Sequence, residues 1–121
     1  MNIIEGIKLD IFIVSTAIFI FASIFSIWFL WDNSWLLFFI LVILAIIELY
    51  IVGSKKLVVA FFIVSIFGPI VEAVAIHNGA WNYVMPNFYN IPVWLIPAWG
   101  NAGVISILVY KFFDKYSLSK K

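Results

Sequence analysis

Four side chains in this sequence could do chemistry from within apolar surroundings: Glu48, Glu72, His77 and Tyr83. A carboxyl group inside hydrocarbon is costly, and where one occurs it usually faces a helix bundle or marks a functional site. Glu72 is the candidate general acid or base, with His77 or Tyr83 assisting, and the fitting substrate would be an isoprenoid or another lipid. Glu48 lies five residues before Gly53, about 7.5 Å along a helix. There it can reach toward headgroups or pair with Lys55 or Lys56, so a structural role is expected. The two carboxyl groups differ in depth by about 15 Å on the same rise, which excludes joint action on one substrate atom. His77 is the only histidine and there are no cysteines. No metal centre or other cofactor is therefore expected within one chain.

These side chains need elements to hold them, and composition limits which. Of 121 residues, 66% are hydrophobic and 11% charged, far from the profile of a soluble domain. The expected fold is an all-α membrane protein, one domain over 1–121 with four transmembrane helices. Charge-free runs place the helices at about 9–31, 35–53, 57–78 and 92–113, each near the 20 or so residues that cross a bilayer. The ten-residue alternation of barrel strands is absent. The first run has acidic residues, Glu5 and Asp10, on its flank and no small-residue cleavage pattern after it, so it reads as a retained helix.

Charge gives orientation. All seven basic residues are lysines, at 8, 55, 56, 111, 115, 120 and 121, which in a four-span layout fall on one side. The positive-inside rule makes both termini cytoplasmic and sends the aromatic, proline-rich loop between helices 3 and 4 outside, in a prokaryotic plasma membrane. The imbalance, with no acidic residue inside the first helix, argues against a small multidrug transporter. A net charge of +1 gives no reason to expect nucleic acid. The terminal "KFFDKYSLSKK" reads as an orientation signal, with attraction to anionic lipid as the alternative.

Small residues indicate packing. Ser65, Gly68, Glu72, Ala75 and Gly79 form one stripe at helical spacing, and Gly100, Gly103 and Ser106 form a second seam. Asn101 is placed to hydrogen-bond across to another helix, and Glu72 and Asn101 are expected to approach each other. Pro69 removes one backbone donor within the third helix. The uncharged stretch from Gly79 carries Trp81, Tyr83, Phe88, Tyr89, Trp94 and Trp99. Rings of this kind seat at headgroup depth, as do Trp28, Trp31 and Trp35. The plain reading is an aromatic belt; the sharper one is a lid of Trp81, Tyr83 and Trp94 over an apolar cavity with Glu72 beneath.

The second half, with Gly68-Pro69, Glu72, Gly79-x-Trp81-x-Tyr83, Pro86, Pro92-x-Trp94-Leu95 and Trp99-Gly100, resembles small four-helix membrane proteins of archaea and bacteria. Glu72 followed by Gly-x-Trp also distantly resembles small membrane lycopene cyclases and carotenoid hydratases. That likeness implies isoprenoid chemistry at Glu72, although the paired acidic residues after a proline seen in the cyclases are missing here. The expected function is a non-catalytic accessory subunit of a larger membrane complex, such as a membrane-bound oxidase or monooxygenase, with other subunits and lipid as partners. The alternative is a small lipid or isoprenoid enzyme centred on Glu72.

Overall fold

A computed structural model describes residues 3–114; Lys115, Lys120 and Lys121 lie outside the described residues. Four helices follow in order: α1 (Ile3–Leu30), α2 (Ser34–Val52), α3 (Lys55–His77) and α4 (Leu95–Phe113). All four are long and apolar enough to cross a membrane. Such a chain can satisfy its backbone in lipid only by bonding within helices.

The helix ends have local causes. At the end of α2, Gly53 adopts φ 68° and returns its N–H to Leu49 O, a left-handed turn that side chains resist and glycine does not. The end of α3 is a Schellman motif. Gly79 sits at φ 88°, its N–H donating to Ile76 O while that of Ala80 donates to Ala75 O. Pro69 lies inside α3 without ending it. α4 starts at Leu95 because Pro92, Val93 and Trp94 are held in the preceding turn, where the Leu95 N–H donates to Pro92 O.

α3 and α4 form the most extensive interface, α1 packs on α2, and α4 also touches both α1 and α2. Cross-contacts pair Gly68 with Trp99 and Gly103 with Val64, an antiparallel register in which chain numbers fall on one helix as they rise on the other. α4 is the shared element. The close approach depends on glycine: a Cβ on Gly103 would lie 2.7 Å from Val64 Cγ2, and one on Gly100 would meet the Phe61 ring. Gly68 is likewise covered by the Trp99 ring.

Two apolar clusters fill the bundle. One, at the end carrying residues 78–94 (the loop end), joins Leu37, Leu41, Ile76, Ile91, Trp94 and Leu95. The other, toward the end carrying Lys55 and Lys56 (the lysine end), joins Phe19, Leu57, Val104 and Leu108. The outer faces bear exposed apolar side chains such as Phe21, Ile43, Phe62 and Val71, as expected of surfaces solvated by hydrocarbon.

Candidate functional site

Glu72 is buried in α3 near the loop end, and both of its carboxyl oxygens are engaged. The Tyr83 hydroxyl donates to Oε1 at 2.5 Å, and the Trp99 indole N–H donates to Oε2. One carboxyl thereby ties the inter-helix loop to α3 and α3 to α4. Tyr83 also stands edge-on to Trp94, ring centroids 6.1 Å apart. Burial pushes the Tyr83 phenol above its ordinary range. The hydrogen bond to Glu72 and the charge there add to the effect, and a hydrogen bond with Trp81 opposes it. Tyr83 is therefore held as a donor.

The loop is built as a scaffold around this link. Residues 88 to 91 form a tight turn in which Ile91 and Phe88 exchange N–H to carbonyl bonds in both directions. Tyr89 and Asn90 at its centre have φ of 47° and 65°, the signature of a type I′ turn. Asn87 locks the exit, its Oδ1 accepting from the Val93 N–H at 2.8 Å. Beyond it Ile91, Pro92, Val93 and Trp94 are buried. Only these last four residues of the loop are core, while Trp81 remains exposed. Of the three lid residues, Trp94 is thus inside the bundle, Tyr83 plugs onto Glu72 directly, and Trp81 lies outside.

Asn101 is placed differently from the expectation. It is almost fully buried, and its amide donates to Leu41 O of α2 at 3.2 Å and to Ser23 Oγ of α1 at 3.4 Å, joining three helices. The oxygens of Glu72 go instead to Trp99, two residues earlier. Two residues are about 200° of helical rotation, so the side of α4 that shows Trp99 to α3 turns Asn101 toward α1 and α2. Two other residues leave their expected stripes. Gly79 is exposed and caps α3, and Ser106 is exposed, donating to Ala102 O at 2.8 Å.

His77 is exposed at the end of α3. It lines an apolar groove of about 670 Å³ between α3 and the turn, with Pro69, Ala73, Phe88 and Ile91; Glu72 is not part of its wall. Among the described residues no cluster of His, Cys, Asp or Glu has the arrangement of a metal centre.

The second carboxyl departs furthest from the sequence reading. Glu48 does not turn toward Lys55 or Lys56. It is 2% exposed, lies against α1 facing Ser15 and Thr16, and its Oε2 has no hydrogen-bond partner; nor has Thr16 Oγ1. The cause is angular: Leu37, Leu41, Ala45 and Glu48 all fall on the buried stripe of α2, steps of four, four and three that keep one face. Nothing in the types of α2's other residues, nearly all apolar, distinguishes that face beforehand.

No known protein family, curated protein or solved structure matches this chain.

Proposed function

We propose that this protein is a non-catalytic accessory subunit of a larger integral-membrane complex, of the kind that accompanies a membrane-bound oxidase or monooxygenase. The observation that carries the reading is the commitment of Glu72. A general acid or base must offer an oxygen to substrate, and both oxygens here accept from donors of the fold itself. The arrangement supports a brace that fixes the loop and the α3–α4 pair. α3 packs chiefly on α4, which leaves a wide apolar face for helices of other subunits, or lipid, to cover. In this reading the lysines place both termini and the Lys55–Lys56 turn on the cytoplasmic side of a prokaryotic plasma membrane.

The test is extraction from native membranes in gentle detergent, followed by particle mass and identification of the co-purifying chains. A stoichiometric membrane partner is expected. A monodisperse particle of this chain alone, stable without a partner, overturns the proposal.

One observation favours the enzyme reading, the groove beside His77, whose size and apolar walls suit part of an isoprenoid or acyl chain. In that case the group that meets the substrate is His77, which lines the groove, and a His77→Gln variant that inserts and folds changes the lipid profile of the cell; an unchanged profile removes the reading.

A further inference from the structure

Beyond the lipid-facing side of α1 and α2 lies a groove of about 400 Å³ with an unusual wall. Isoleucine, valine, leucine and phenylalanine side chains make most of it, and three polar residues interrupt them: Glu48, Ser15 and Asp10. Glu48 contributes a carboxyl whose Oε2 is buried without a hydrogen-bond partner, with the hydroxyls of Ser15 and Thr16 facing the group. Ser15 has spent its own proton on Phe12 O at 3.3 Å, which leaves its oxygen free to accept. Asp10 is exposed at the lysine end, about 7.5 Å along α1 from Ser15. The wall contains no lysine or histidine; Lys8 lines an adjoining groove that shares Ile11 and Ile51 with this one.

We propose that this groove binds a single-chain, membrane-partitioned primary amine in its protonated form. Its ammonium sits on Glu48 and Ser15, and its alkyl chain lies along the apolar wall toward Phe19 and Leu44. An acceptor oxygen buried in hydrocarbon calls for a donor, and a carboxylate there calls for a positive one. An ammonium has three N–H donors and no acceptor, which matches a wall with no nitrogen donor, where the Ser15 hydroxyl can accept as well as donate. A tail is required because the groove is apolar apart from these groups and opens on the side of the helices that lipid would occupy. Asp10 sets the net charge of the ligand. The headgroup of a zwitterionic phospholipid would bring its phosphate against this second carboxyl, whereas a ligand with positive charge alone meets attraction at both. The ligand is therefore a cationic amphiphile and not the ammonium headgroup of a phospholipid.

The experiment uses the full chain in phosphatidylcholine nanodiscs and measures retention of labelled dodecylamine relative to empty discs. The result expected is saturable binding of one molecule per chain. Glu48→Gln weakens it about tenfold, as loss of one hydrogen bond to a charged group does. Asp10→Asn, at an exposed site, weakens it about threefold. Dodecanol, which lacks the charge, and dodecyltrimethylammonium, which lacks the donors, compete poorly. If Glu48→Gln does not fold, Ile47→Trp, which fills the groove from a half-exposed position and keeps the carboxyl, must block binding instead. Equal competition by dodecanol reduces the site to an apolar groove and overturns the proposal. So does undiminished binding by a folded Glu48→Gln protein. Displacement of dodecylamine by phosphatidylethanolamine, itself retained only when Glu48 is present, would reassign the site to a lipid headgroup.

Discussion

Glu72 and Glu48 are the same residue type in helices of similar length, and the fold gives them opposite situations: one has both oxygens satisfied, the other has an oxygen with none. For Glu72 the consequence is structural. Tyr83→Phe removes one of its donors and is expected to cost about 1 to 2 kcal/mol. Glu72→Ala strands both donors and is expected to cost about 2 to 4 kcal/mol. Thermal unfolding in detergent followed by tryptophan fluorescence measures both. The double variant should lose less than the sum, because the two share one contact. The raised Tyr83 phenol adds a pH dependence. Folding favours the protonated phenol, so its contribution is complete below the ordinary phenol value near 10 and is lost as pH rises above it. Alkaline unfolding should therefore begin above about pH 10, and absorbance at alkaline pH should show one tyrosine ionising after the exposed ones. In Glu72→Ala it should ionise earlier.

Among elements, the α3–α4 interface and the loop that leads into it make separable predictions. Gly103→Ala places a methyl against Val64, a β-branched side chain with little freedom to move, and should destabilise by about 1 to 3 kcal/mol. Ser106→Ala, on the exposed side of the same helix, should change stability by less than about 0.5 kcal/mol. Tyr89 has a positive φ yet is 82% exposed, so it bears the cost of a left-handed conformation with little packing in return. Tyr89→Gly should raise the melting temperature, by about 1 kcal/mol in stability. The contrast between Gly103 and Ser106 also shows how far a sequence can be read. Charge-free runs identify spans well, because hydrocarbon demands them. A three-residue spacing is weaker evidence: at 100° per residue, Ser106 has turned about 120° away from Gly100, off the face that Gly103 still shares. Gly79 and Glu48 illustrate the rest. A glycine in a stripe reads alike whether it packs or caps, and in a helix apolar all round the buried face is fixed only by its neighbours. The partners of Glu72 lie 11 and 27 residues away across a loop whose path no periodicity describes.

At the scale of the molecule, two hairpins meet chiefly through α4. α1 and α2 reach the second hairpin through Asn101 and the apolar clusters around it, a smaller interface than α3 makes with α4. Stability should be uneven accordingly. The native chain has no cysteine, so engineered cysteine pairs report cleanly on each interface. With rising detergent harshness, cross-linking of a pair placed across α2 and α4 should fail before that of a pair across α3 and α4. Asn101→Leu should bring the first failure forward and leave the second unchanged. Simultaneous loss of both cross-links would mean that the bundle melts as one unit.

The position of α4 also bears on how the molecule is made. It leaves the ribosome after α1, α2 and α3, yet α3 gets most of its packing from it, and Asn101 makes its bonds to α1 and α2 from it. Until α4 arrives, α3 must wait in the bilayer with Glu72 exposed to lipid or to whatever binds it. Trp99 then covers Gly68 and takes up Glu72 in a single docking event. Biogenesis thus passes through a vulnerable interval between α3 and α4, and a chaperone or partner that shields α3 during it would act on the nascent protein and be dispensable once α4 has docked.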